Sequence, residues 1–115
     1  MTRYIKLLET HAVNTDRPAI VSYAGRRIAV YRYGDTFRAL DDICPHMGAF
    51  ISHGHREGCL AVCPRHNWRF DIATGKCLDR PGVSVELFAI FIEDGWICLP
   101  VQETAEIDLA DLEAW

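Results

Sequence analysis

Residues 44–68 read CPHMGAFISHGHREGCLAVCPRHNW and hold three of the chain's five cysteines and four of its five histidines. The two regular pieces are Cys44-Pro45-His46 and Cys63-Pro64-Arg65-His66, each setting a thiol and an imidazole two or three residues apart in a proline-stiffened loop. Soft sulfur with borderline nitrogen suits an iron–sulfur centre or zinc, and excludes calcium and magnesium, which take oxygen ligands. Structural zinc usually draws like ligands in pairs, a Cys-x-x-Cys with a His-x-x-x-His. Here each loop offers one of each. That is the supply a two-iron cluster needs when two cysteines hold one iron and two histidines hold the other. With sixteen residues between His46 and Cys63, the pattern is far more specific than a lone Cys-x-x-Cys.

Such loops need a frame. Ala19 to Tyr23, Ile28 to Tyr33 and Thr36 to Leu40 are short β-branched or aromatic runs separated by turn residues, the spacing of antiparallel hairpins. Ala29 to Tyr33 nearly alternates, which predicts one buried and one wet sheet face. Tyr4 to Leu8 is expected to add an edge strand. Between Asp41 and Pro81, four glycines and three prolines punctuate short apolar pieces, as in loops inserted into a sheet. Cys59 to Val62 and Trp68 to Asp71 read as strands there, with Ala73 to Lys76 a turn. Val83 to Ile92 and Trp96 to Leu99, joined by Glu93-Asp94-Gly95, predict a further hairpin. Glu103 to Trp115 places Ala105, Leu109 and Leu112 on one helical stripe. No internal repeat is apparent.

At 115 residues, half of them hydrophobic, the chain has the size of one domain spanning 1–115 and can bury a core without disulfides. A net charge of −4 and a pI near 5.7 argue against a nucleic-acid binder. No Lys or Arg follows Arg80, while eight acidic residues do, so the tail at about 101–115 is acidic. The expectation is a solvated tail that aids solubility; the competing reading is a contact for a basic partner. The N-terminus lacks a secretory pattern and no segment has the length of a membrane span, so a cytoplasmic setting without membrane contact is expected. An odd number of cysteines in that setting favours ligands and buried thiols over disulfides.

The stretch from CPHMGAFISHG through CPRHNWRFDIATGKCLDRPG resembles the cluster-binding region of Rieske [2Fe–2S] proteins, particularly soluble Rieske-type ferredoxins and the ferredoxin-like domains of ring-hydroxylating oxygenases. The specific motifs cover roughly residues 41–82. The resemblance implies an all-β fold: a Rieske-like antiparallel β-sandwich with an inserted, loop-rich cluster-binding lobe at about 41–82 and a short C-terminal extension. It also implies one [2Fe–2S] cluster per chain, with Cys44 and Cys63 on the inner iron and His46 and His66 on the outer. The respiratory-chain branch ties its loops with a disulfide, but those positions are Ala49 and Arg65 here. Where that branch places a serine and a tyrosine to hydrogen-bond the cluster, this chain has Trp68 and Phe70. Losing those bonds should set the potential towards the low end of a range of about −150 to +300 mV. Asn67 stands where oxygenase-type sequences usually carry glycine, and is expected to alter the local turn without touching ligation.

The remaining candidates have simpler readings. Cys59, Cys77 and Cys98 are expected to be packed thiols, and His11, His53 and His55 to be exposed. Pro81-Gly82 resembles the proline loop that covers the cluster in this family, and Phe50, Trp68 and Phe70 should shield the cluster or fill the lobe. A cluster whose irons are fully ligated carries electrons and offers no position for substrate. Its imidazoles should lie at the lobe's tip, as electron exit and as a proton site. The remaining histidines, His11, His53 and His55, are not expected to make a second, mononuclear iron site, for which a chain of this length has no room. The resemblance therefore implies a non-enzymatic one-electron carrier between a flavin-dependent reductase and a terminal oxygenase. The alternatives are a Rieske-like small subunit of a larger reductase such as nitrite reductase, and a zinc-stabilised binding module.

Overall fold

The computed structural model describes residues 3–45 and 48–101. The proposed helix at 103–115, the acidic tail and His46 lie outside the described residues. Ten strands occur among the described residues, in the order β1 (Arg3–Glu9), β2 (Ala19–Tyr23), β3 (Arg26–Tyr33), β4 (Thr36–Asp41), β5 (Arg56–Glu57), β6 (Leu60–Val62), β7 (Arg69–Asp71), β8 (Leu87–Phe88), β9 (Phe91–Glu93) and β10 (Trp96–Val101). Short 3-10 turns at Thr10–Ala12 and Ile51–His53 interrupt them, and no α-helix occurs among the described residues. All pairings between strands are antiparallel, in three sheets ordered β1-β10-β9, β2-β3-β4-β8 and β5-β6-β7. The all-β fold inferred from the motifs is the observed one.

Two cores explain the strand sequences. Ile28 and Val30 on β3, with Ala39 on β4, meet Leu7, Leu8 and Ile97 between the first two sheets. The alternate residues Ala29, Tyr31 and Leu40 point the other way and pack with Phe70, Ile72, Cys44, Cys63 and Cys77 of the lobe. The four-stranded sheet is therefore covered on both faces, and Ile28 to Tyr31 is buried without a break. This corrects the expectation of a wet face: the lobe occupies it.

The edge position of β1 is as expected, and a bulge between Lys6 and Leu8 shifts its register against β10. One extra residue lets the consecutive leucines Leu7 and Leu8 both turn towards the core. The proposed strand Val83 to Ile92 is two strands. Leu87–Phe88 pairs with β4 in one sheet, whereas Phe91–Glu93 pairs with β10 in the other. The chain crosses between sheets at Ala89 and Ile90, and this lets Phe88 and Ile90 enter the same core. The β9–β10 hairpin turns on Asp94-Gly95, both at positive φ (51° and 80°), as a tight Asp-Gly hairpin requires.

Candidate metal centre

Two loops of the lobe repeat one backbone design. In the first, the Cys44 N–H donates to the Ala49 carbonyl and the Gly48 N–H to the Cys44 carbonyl, both at 2.8 Å. In the second, Cys63 N–H donates to Trp68 O at 2.9 Å and Asn67 N–H to Cys63 O at 3.0 Å. Each loop is closed by an antiparallel bridge from the residue before the cysteine to the sixth after it: Ile43 to Phe50, and Val62 to Arg69. A proline follows each cysteine, and its missing N–H leaves the turn's inner bonds to the residues around it. The fourth residue after each cysteine is left-handed, Gly48 at φ 71° and Asn67 at φ 61°. Asparagine tolerates this region better than other side-chain-bearing residues. Asn67 therefore preserves the turn, and the expected local change is not observed.

Cys44 and Cys63 are each 1% exposed and belong to one buried cluster with Ile51, Ala61, Phe70 and Cys77. Pro45, Pro64, Arg65 and His66 are exposed. Thiols thus lie inside the lobe and His66 at its surface. The fourth candidate, His46, lies outside the described residues. Among the described residues, no three Cys, His, Asp or Glu side chains converge on one metal ion. A Rieske cluster asks for no such convergence, since each iron takes two protein ligands and its other bonds run to sulfide. The donor set of two buried thiols and an exposed imidazole fits that division.

The frame that fixes the first loop centres on Asp42, which is fully buried. Its carboxylate accepts from Arg27 Nε at 2.8 Å, Ser52 N at 2.7 Å and Ser52 Oγ at 2.6 Å. Its backbone pairs with the Arg27 carbonyl and the Ile51 N–H. A buried carboxylate is tolerable only when bonded this completely. Arg27 also stacks over Phe50, 3.9 Å from the ring centroid. The segment between the loops holds the second one too: His55 O accepts from Val62 N, and a Cβ on Gly54 would overlap the Val62 carbonyl. These residues escaped sequence reasoning. The available signal was the acidic pair Asp41-Asp42 at the end of an apolar strand.

Around the second loop the anchors are exposed. Arg69 pairs with Asp79 through Nη2–Oδ1 at 2.8 Å and Nε–Oδ2 at 3.1 Å, which holds the Asp79 carboxyl below its ordinary range. Arg80 lies 5.1 Å above the Trp68 ring. The Pro81-Gly82 turn is tied back by Cys77 N–Val83 O and Val85 N–Gly75 O bonds, with Val83 and Val85 packed on the cysteine-bearing cluster. Trp68 and Phe70 join that cluster as expected, whereas Phe50 serves Arg27.

Cys77 and Cys98 are buried, and burial pushes the Cys98 thiol above its usual value. Cys59 is exposed, which corrects its reading as a packed thiol. It precedes β6 by one residue and closes the turn, its carbonyl accepting from Ile72 N. His11, His53 and His55 are exposed, and no cysteine is in a disulfide. No described helix is long and apolar enough to cross a membrane.

The model of the Rieske [2Fe-2S] domain matches residues 3–92. The chain belongs to the Rieske [2Fe–2S] family. It is 35% identical over 75 residues to the ferredoxin component of the naphthalene 1,2-dioxygenase system of Pseudomonas putida, covering 64% of this chain and 72% of that protein. The Sphingomonas yanoikuyae B1 ferredoxin superposes with a TM-score of 0.80 at 28% identity, over 87% of this chain and all of that one. A structure described as a complex of reduced oxygenase and oxidized ferredoxin in carbazole 1,9a-dioxygenase matches at 0.76 and 28% identity, over 84% of this chain and 91% of that chain. Nitrite reductase small subunits share the fold at 21% and 24% identity, a likeness in fold alone. The Rieske chain is an electron-transfer protein whose cofactor is a [2Fe–2S] cluster.

Proposed function

We propose that Cys44 and Cys63 hold the inner iron of this cluster and His46 and His66 the outer, within a lobe spanning about 41–82. The observation that carries the assignment is the repeated loop frame, which buries one cysteine in each loop and leaves His66 at the surface. The cluster supplies reversible one-electron transfer. The chain keeps water from the thiolates with Phe70, Ile51 and the proline loop. An imidazole edge at the surface makes a short path to a partner. Trp68 and Phe70 offer the cluster no hydroxyl, which supports a potential low in the Rieske range.

In this reading the chain shuttles electrons from a flavin-dependent reductase to a terminal oxygenase in a reducing, cytoplasmic setting. Support comes from relatives that are ferredoxin components of dioxygenase systems. The test is reduction of the purified holo-protein by NADH and the flavoprotein reductase of a dioxygenase system, followed by reoxidation on adding its oxygenase. Turnover in both steps is expected. Failure to accept electrons, or stoichiometric co-purification with one large flavoprotein, would point instead to a reductase subunit.

A further inference from the structure

Away from the paired loops, a cleft of about 890 Å³ opens between the Asp16–Pro18 loop before β2 and the Ser52–Arg56 segment, a volume within the roughly 300–1,000 Å³ of small-molecule sites. The chain's net charge is −4, yet Arg17, Arg27 and Arg56 line this cleft against one carboxylate, Asp16. Arg27 is answered by Asp42. Arg56 donates to the carbonyls of Thr15, Arg32 and Gly58 at 2.6–2.7 Å. These bonds fix the guanidinium while leaving its charge without a carboxylate partner among the described residues. Arg17 likewise has no partner among them. With Asp16 set against one of these two, a single positive charge is left over.

Tyr31 lies at the base of the cleft. It is 2% exposed, and its hydroxyl has no hydrogen-bond partner among the described residues. No polar side-chain atom among them is both sealed from solvent and unpartnered, so this hydroxyl opens on the cleft. Burial raises its phenol pKa, with Asp42 adding to the effect and Arg56 opposing it, and the group stays an O–H donor at neutral pH. An open phenol in a cleft whose guanidinium groups leave one positive charge uncompensated suits an oxyanion. The apolar part of the wall is Pro18 and the exposed Ile20.

We propose that this cleft binds a small organic carboxylate, its head received by Arg17, Arg56 and the Tyr31 hydroxyl and its apolar body laid on Pro18 and Ile20. A monoanion matches the one uncompensated charge. The site does not depend on which redox partners the chain serves.

The test is a titration of ¹⁵N-labelled holo-protein with hexanoate at constant ionic strength, with hexanamide as the uncharged isostere and acetate as the head alone. Saturable shifts are expected at amides around Arg17 and Ile20 and from Ser52 to Arg56, with binding about tenfold weaker for hexanamide and for acetate. Tyr31→Phe should weaken hexanoate about tenfold and Arg17→Ala about threefold, with the cluster's visible spectrum unchanged. Equal binding of hexanamide, shifts that never saturate, or affinity indifferent to both substitutions would overturn the proposal. Should Tyr31→Phe fail to fold, the surface substitution Arg17→Ala decides in the same way.

Discussion

The loop after β4 and the loop after β6 present Cys44 and Cys63 from the same backbone turn, but one is fastened by a buried carboxylate and the other by an ion pair at the surface. Asp42 has no exposed area and accepts three hydrogen bonds. Asp79, partly exposed, meets only Arg69 among the described side chains. The contrast follows from position. The first loop leaves a central strand of the four-stranded sheet, where both faces are covered, so any polar anchor there is buried and must be fully bonded. The second loop joins the short β6 and β7 of the lobe, where water reaches its outer side. Strength of anchoring should therefore differ although geometry does not.

Four tests break or sharpen this comparison, in falling order of effect. Cys63→Ser should abolish the cluster as completely as Cys44→Ser would, whereas Cys59→Ser should leave iron and sulfide at two each per chain; assay of both elements decides, and a cluster retained in Cys63→Ser would remove it from the ligand set. Asp42→Ala leaves Arg27 and Ser52 without their acceptor and should lower unfolding stability by about 3 kcal/mol, read by denaturant titration. A loss no larger than that of Asp79→Asn would erase the proposed difference between anchors. Phe70→Tyr places a hydroxyl in the buried cluster with both cysteines. If it reaches a sulfur, one net hydrogen bond of about 1 kcal/mol raises the potential by on the order of 50 mV; voltammetry that finds no rise or a fall would count against the low-potential explanation.

Asp79→Asn should have the smallest effect, because solvent screens the pair. Its sign is nevertheless fixed. Arg69 holds the folded-state Asp79 pKa below its unfolded value, so the pair's stabilisation is present above the ordinary carboxylate pKa and is lost as pH falls through the depressed folded value. The stability difference between wild type and Asp79→Asn should be largest near neutrality and vanish in acid. A difference that grows on acidification would contradict the pairing.

Much of the frame was legible because local signals agreed with it. Ala19–Tyr23 appears with the boundaries its β-branched run implied, and Asp94-Gly95 turns the last hairpin. The pairing of the two Cys-Pro loops was legible, but their common backbone was not. Only Cys-Pro is shared, the candidate histidines stand two and three residues after their cysteines, and the likeness resides in backbone bonds and a left-handed residue filled once by glycine and once by asparagine. Asp42 was missed because its partners, Arg27 and Ser52, are distant in sequence. Cys59 was misplaced by one residue: the apolar run begins at the turn, and the strand starts at Leu60. The wet face assigned to β3 failed for a tertiary reason, since alternation in one strand cannot reveal that a later lobe covers it.

The assignment of one thiolate pair and one imidazole pair is tested most directly by electron paramagnetic resonance of the dithionite-reduced holo-protein, with hyperfine detection of metal-bound nitrogen in wild type and His66→Cys. The account predicts a Rieske-type signal coupled to two histidine nitrogens in wild type, and to one, at a lower potential, in His66→Cys. A colourless zinc protein, a four-thiolate signal in wild type, or two nitrogens still coupled after His66→Cys would contradict it.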